Sequence, residues 1–305
     1  MKSASLPALV ACLLLSACRP GEAPHSPSLN DPTGLAFDAS GNLWAANYRG
    51  NSLLMYSREQ LVNGGSVAPV RSISGPHTGL RGPNRLAFDR TGSLWTVNYD
   101  ADAITAYRES ALTTGGDVVP QVTIRADSID QPTGLAFDRS GDLWVTNQGN
   151  GSIVSIPAAE LSGDGTVMPG VVLGMPQGKG SVPEAVAFAP DGSMWIALYG
   201  ADRVVSFHAR TMSSAQVAVD RPIGLVFDSQ GRLWVTEASA VRRFDLSHLS
   251  SPTTTVSWES MPPPHTPALD QAGNLWFSCQ NNTVVRFSVA QLSSVTARTP
   301  SAVIA

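Results

Sequence analysis

One motif recurs six times along this chain and limits its fold more than any other feature. It reads PTGLAFDASGNLWAANY from Pro32, PNRLAFDRTGSLWTVNY from Pro83 and PTGLAFDRSGDLWVTNQ from Pro132. Three more divergent copies begin at Pro183, Pro222 and Pro264. Six of the seven tryptophans occupy one repeat position: Trp44, Trp95, Trp144, Trp195, Trp234 and Trp276, at separations of 51, 49, 51, 39 and 42 residues. A unit of this length cannot bury its apolar face alone, so neighbouring units must stack.

Each unit offers four short strands. The GLAFD-type run is followed by a D-x-x-G turn, in which Gly supplies positive φ. The NLWAAN-type run is second, and SLLMYS, AITAYR, SIVSI, RVVSF, AVRRF and TVVRF are third. Leu61, Leu112, Leu161 and Leu292 each precede a proline by eight residues (Pro69, Pro120, Pro169, Pro300), and the fourth strand follows that proline. The fourth and fifth units shorten this segment. The runs are almost continuously apolar, as in sheets covered on both faces. No stretch sustains a helical period; REQL, RESAL and AAEL make one turn at most.

The pattern predicts an all-β chain: a six-bladed β-propeller of four-stranded antiparallel blades over residues 32–305. Blades start near 32, 83, 132, 183, 222 and 264. Trp258 is placed in a fourth strand, outside the motif. Because PSAVIA at the end matches earlier fourth strands, each blade is one contiguous repeat. Ring closure then rests on face packing between the first and last blades, without an exchanged strand.

Residues 1–17 read as an export signal. Lys2 is the positive region, and the apolar stretch from Leu6 to Leu15 is too short to span a bilayer, which needs about 20 residues. It ends in Leu15-Ser16-Ala17-Cys18, which resembles the lipobox of bacterial lipoproteins. That resemblance implies lipid on the Cys18 thiol and attachment to the cell envelope, at the outer membrane or on the periplasmic side. Two or more acyl chains give stable anchoring where one is marginal. Residues 18–31 then form the lipidated Cys and a flexible tether. Processing leaves Cys279 without an intramolecular disulfide partner.

Composition removes other classes. At 43% hydrophobic the chain is too apolar to be disordered. A formal charge of −4 with 20 scattered Lys and Arg gives no basic stripe for nucleic acid. G-x-S-x-G, H-E-x-x-H and phosphate-binding glycine loops are absent from the sequence. The expected partner besides the membrane is a protein, peptide or glycan, bound by a monomer.

The repeated residues are read as structural. One large ring per unit fills the wedge between blades, where burying a Trp removes ~150–250 Å² from water. Asp38, Asp89, Asp138, Asp228 and Asp270, each with Gly three residues later, form turns. Function is sought where the repeat departs from itself. The residue after the opening proline gives one ring: Thr33, Asn84, Thr133, Glu184, Ile223 and His265. The residue three after the Trp gives a second: Asn47, Asn98, Asn147, Leu198, Glu237 and Cys279. Both are expected at one mouth of the central channel.

There Glu184, Glu237, Asn84 and Asn147 supply the oxygen ligands that Ca²⁺ or Mg²⁺ prefer, and His265 is placed as a general base. The alternative is a solvated polar rim without metal. Arg49 and Arg85 are candidates for holding an anionic ligand, and Tyr48, Tyr99 and Tyr199 for a binding surface. Cys279 is read as a buried apolar residue.

The motif L-A-F-D-x-x-G-x-L-W-x-x-N resembles NHL-repeat propellers. It also resembles the gluconolactonase/senescence-marker family and the streptogramin (virginiamycin B) lyases, which share the D-G-x-L-W run. The lactonase resemblance implies a divalent metal held at the channel by Glu, Asn and Asp. Glu184 with Asn84 or Asn147 stands in comparable positions, and no Asp occupies either ring. The lyases are seven-bladed and use metal with a His base, to which His265 and Glu237 correspond. Two functions follow as expectations: a lipoprotein whose propeller is a binding platform, or a metal-dependent lactonase-like hydrolase or streptogramin-lyase-like enzyme acting at the channel mouth.

Overall fold

The computed structural model describes residues 28–305 apart from 163–164, 176–177, 209–210, 259, 294–295 and 298. The export signal, Cys18 and residues 19–27 lie outside the described residues. Six antiparallel blades form a ring. Blade one comprises Pro32–Phe37, Leu43–Asn47, Ser52–Tyr56 and Arg71–Ser74. Later blades open with Pro83–Phe88, Pro132–Phe137, Pro183–Phe188, Gly224–Phe227 and Pro264–Leu269. Each of these innermost strands packs against the next, and the sixth against the first. They surround a central channel of about 470 Å³, lined by apolar side chains such as Leu35, Leu86, Leu135 and Leu225.

Six apolar clusters fill the six wedges between blades. The Trp of one blade meets the strand-ending Phe of the next edge-to-face: Trp95 on Phe137 at 5.9 Å, Trp144 on Phe188 at 6.2 Å, Trp195 on Phe227 at 6.2 Å. Trp276 on Phe37 at 6.0 Å carries the same contact across the ring closure. Turn aspartates hold the rings of Trp95, Trp144 and Trp276, and Ser193 Oγ accepts the Trp195 indole N–H. Asp138 Oδ1 accepts the backbone N–H of Ser140 and Asp142, while Oδ2 accepts the Trp144 indole N–H at 2.9 Å. Asp89 with Trp95 and Asp270 with Trp276 repeat the arrangement. A second carboxylate oxygen therefore ties the turn to the core.

Three local expectations are corrected. The segments after the third strands form six-residue helices, Arg58–Asn63 and Glu109–Thr114, longer than one turn. The first is fixed by a capping box between Ser57 and Gln60. Trp258 lies beyond its strand, Thr254–Val256, and packs on Phe277 and Phe287. The folded unit begins before Pro32: Leu29 is 5% exposed, and Asp31 N–H donates to Asn282 Oδ1 at 2.7 Å. Residues 28–31, expected as part of a tether, therefore belong to the folded unit.

Ring closure also uses hydrogen bonds. The glycine pair after the first helix reaches back to blade six, where Gly65 N–H donates to Val303 O at 2.7 Å. In blade two Gly116 N–H bonds Ser72 O of blade one, again at 2.7 Å. Gly165–Thr166 and Thr296–Ala297 pair in parallel with the outermost strands of blades two and five. Gly65 and Gly116, at φ 98° and 82°, adopt a conformation that L side chains rarely take. The blades are contiguous, as expected, but a repeated backward latch joins their outer edges. Among the described residues no helix is long and apolar enough to cross a membrane.

Candidate functional site at the channel mouth

The innermost strands alternate in sequence. Blades one, three and five carry Thr33-Gly34-Leu35, Thr133-Gly134-Leu135 and Ile223-Gly224-Leu225. Blades two, four and six carry Asn84-Arg85-Leu86, Glu184-Ala185-Val186 and His265-Thr266-Pro267. The glycine makes room for the next blade. A Cβ on Gly134 would lie 2.9 Å from Glu184 O, and one on Gly224 would lie 2.7 Å from His265 O. Thr33 Oγ1 donates to Asn84 O at 2.9 Å and Thr133 Oγ1 to Pro183 O at 2.8 Å. The register of the innermost strand shifts at this point in blades one, two, three, four and six, as at β-bulges. The plain blades thus clamp the backbone from which Asn84, Glu184 and His265 project.

These three meet in a cavity of about 330 Å³ at the channel mouth. All six residues of the first ring line it. The second ring does not, because its side chains turn back into the blades. Asn98 Oδ1 accepts Arg81 N–H at 3.2 Å, and Asn147 Oδ1 accepts Asp130 N–H at 3.2 Å. Glu237 stands in the same place in blade five: Oε2 accepts Asp220 N–H at 3.3 Å and pairs with Arg242 at 3.1 Å. Asn147 and Glu237 are therefore loop anchors, away from Glu184 and Asn84. The residue one step further along faces the cavity instead, giving Tyr48, Tyr99, Gln148, Tyr199 and Gln280. Gln148, Gln280 and Asp31 were missed from the sequence. Reading the repeat one position later would have found the two glutamines.

Arg85 forms the floor. It is 5% exposed and borders both the mouth cavity and the channel below. Nη1 donates to Asn84 Oδ1 at 2.6 Å; Nη2 crosses to Ile223 O of blade five at 2.8 Å. Nε is buried without a partner, as is His265 Nε2. Burial lowers the Arg85 guanidinium to about 10, opposed by the charge of Glu184, so it remains cationic at neutral pH. Burial raises Glu184 to about 7, with Arg85 pulling the other way. Glu184 retains some solvent contact through the open mouth, while its surroundings are those of an interior group. Burial first, then the Arg85 charge, lowers His265 to about 4, against the pull of Asp31. Its imidazole is neutral.

The wall is aromatic. Tyr48 and Tyr99 meet edge-to-face at 6.2 Å. Tyr48 OH donates to Asp100 at 3.2 Å, and Tyr99 OH donates to Gln148 Oε1 at 2.6 Å. Gln148 Nε2 continues to Glu184 Oε1 at 3.3 Å. Arg49 lies outside the cavity, exposed, and pairs with Asp31 at 3.2 Å. Cys279 is fully buried, and its surroundings push the thiol up to about 12.

Fold and site together define a six-bladed propeller with a mixed polar and aromatic pocket at one end of its channel. The chain belongs to the SMP-30/gluconolactonase/LRE-like family, whose model matches residues 62–239. No curated protein matches it in sequence. Similar solved structures include virginiamycin B lyase from Staphylococcus aureus, at 16% identity and TM-score 0.63, covering 86% of this chain and 82% of that one. A streptogramin B lyase structure has 15% identity and TM-score 0.62, with 90% and 89% covered. The extracellular domain of a one component system from B. thetaiotaomicron has 18% identity and TM-score 0.58, covering 86% of this chain and 35% of that chain. At these identities the likeness is one of fold.

The divalent metal implied by the lactonase and lyase resemblances does not fit this floor. Among the described residues no three His, Cys, Asp or Glu side chains come together as a metal set. The Asn84 amide oxygen is already engaged, and the group it holds is itself a cation. A second cation beside Arg85 would meet repulsion in a poorly solvated place.

Proposed function

We propose that this protein is an exported, lipid-anchored envelope protein whose propeller is a binding module, with its ligand seated in the channel-mouth pocket. The observation that carries the reading is Arg85. The floor position where a metalloenzyme needs its ion carries a fixed guanidinium, tied to two blades on opposite sides of the ring. Around it, Tyr48, Tyr99, Gln148 and Tyr199 supply aromatic and amide surface suited to holding a protein, peptide or glycan element. The likeness to an extracellular domain supports a location outside the cytoplasm. The lipobox-like segment ending at Cys18 supports the anchor.

The test is photo-crosslinking in cells that make the protein. A benzophenone amino acid replaces Tyr99 at the mouth or the exposed Arg139 on a turn at the opposite end. Adducts from position 99 and none from 139 are expected. Adducts only from 139 would contradict the reading. Mass spectrometry of the envelope-derived N-terminal peptide tests the lipid: acylated Cys18 is expected, and an unmodified cysteine would refute the anchor.

A further inference from the structure

We propose that the channel-mouth pocket takes a small hydroxylated carboxylate of single-sugar size, such as a uronic acid unit, with its carboxylate on Arg85. The inference rests on the binding-module reading and names its ligand class. Four observations carry it.

Arg85 is an almost fully buried charge with hydrogen-bond partners on two of its three guanidinium nitrogens. Asn84 Oδ1 and Ile223 O hold Nη1 and Nη2, and Nε has no partner. A buried charged donor without an acceptor is costly, and the partner that best repays it is an anionic oxygen. Glu184 interacts with Arg85 through its charge, and among the described residues no group accepts a hydrogen bond from Nε. His265 Nε2 lines the same pocket and is equally without a partner. A neutral imidazole can donate there to the second carboxylate oxygen or accept from a hydroxyl.

The third observation is the wall. The hydroxyls of Tyr48 and Tyr99 are engaged by Asp100 and Gln148. What they offer a ligand is apolar ring surface, which suits the C–H face of a saturated ring. The fourth is size and lining. About 330 Å³ lies at the small end of ligand cavities, and Glu184, Gln148 and Asn84 surround the floor with groups that match hydroxyls. A fatty acid would find too little apolar surface. A bare inorganic anion would leave the aromatic wall uncovered.

The experiment is titration calorimetry of the full-length protein with glucuronate, glucuronamide and glucose. The amide keeps the ring and hydroxyls and removes only the charge. Glucuronate is expected to bind at least about tenfold more tightly than either neutral analogue. Arg85→Lys keeps the positive charge without the planar fork and is expected to lose about tenfold or more of that affinity. Should Arg85→Lys fail to fold, the acid–amide comparison on the unaltered protein decides alone. Equal binding of acid and amide would overturn the carboxylate assignment and leave the pocket as a binding site. Absence of binding by all three at about 1 mM would overturn the assignment as well. Neither result touches the crosslinking test of the binding module.

Discussion

Replacing Glu184 by glutamine isolates the electrostatic strain at the pocket floor. Burial raises this carboxyl from 4.5 to about 7. A carboxyl whose pKa is raised on folding keeps its proton in the native state while the unfolded chain releases it. Stability attached to it is whole below pH 4.5, declines as pH rises toward 7, and is constant above that. At 1.36 kcal/mol per unit the full loss is about 3 kcal/mol, and residual solvent contact through the mouth brings it to about 2–3. Glutamine has no proton to lose and can still accept the Gln148 amide N–H, now at 3.3 Å. Glu184→Gln should therefore match the parent near pH 4.5 and exceed it by about 2–3 kcal/mol at pH 8. The assay is urea unfolding followed by Trp fluorescence, in half-unit pH steps. Parallel stability curves from pH 4.5 to 8 would refute the reasoning, because they would mean that Glu184 titrates alike in both states.

Other residues give independent checks. Gly134→Ala places a Cβ 2.9 Å from Glu184 O and 2.6 Å from Thr146 Oγ1. It should cost about 1–3 kcal/mol and lower Tm by about 3–8 °C in a melt. Asp138→Ala removes the acceptor of two turn amides and of the Trp144 indole. A loss of about 2–4 kcal/mol is expected in chemical unfolding, against about zero were the turn self-supporting. Deleting residues 302–305 strips the partner of Gly65 and part of the blade-six to blade-one cluster. A melt should then lose its single sharp transition; an unchanged transition would show that face packing alone closes the ring. Cys279, its thiol pushed up to about 12, should ignore a thiol reagent at pH 8 until urea is added.

Most of the fold was legible because a propeller repeats its chemistry. The Trp position and the opening proline recur six times and the D-x-x-G turn five times, so errors in one unit are corrected by the others. The latch was not legible. Gly64-Gly65 and Gly115-Gly116 read as turns, since the bonds from Gly65 and Gly116 go to another blade and leave no local signal.

The site divides in the same way. The position after the opening proline placed all six of its residues on the mouth, because repeat register alone decides where that side chain goes. The position three after the Trp did not. Its side chain belongs to a fully buried strand, and the mouth is reached only by the next residue, beyond the strand end. Glu237 looked functional as a departure from Asn, yet it does the work of Asn with a different acceptor. Arg85 was named from the sequence as a candidate for an anionic ligand, but what fixes it could not be read in advance. A single arginine beside Asn84 in sequence acquires its meaning from Ile223, 138 residues away.

The central claim is that a fixed guanidinium, rather than a metal ion, supplies the positive charge at the channel mouth. Thermal melts of the protein in EDTA, Ca²⁺ and Mg²⁺, alongside Glu184→Gln, test it most directly. A metal held at 100 times its Kd would add ~2.7 kcal/mol, or about 5–10 °C for a domain of this size. The account predicts that Tm is the same in all three conditions for both proteins. A rise of that size with either ion, abolished by Glu184→Gln, would contradict it.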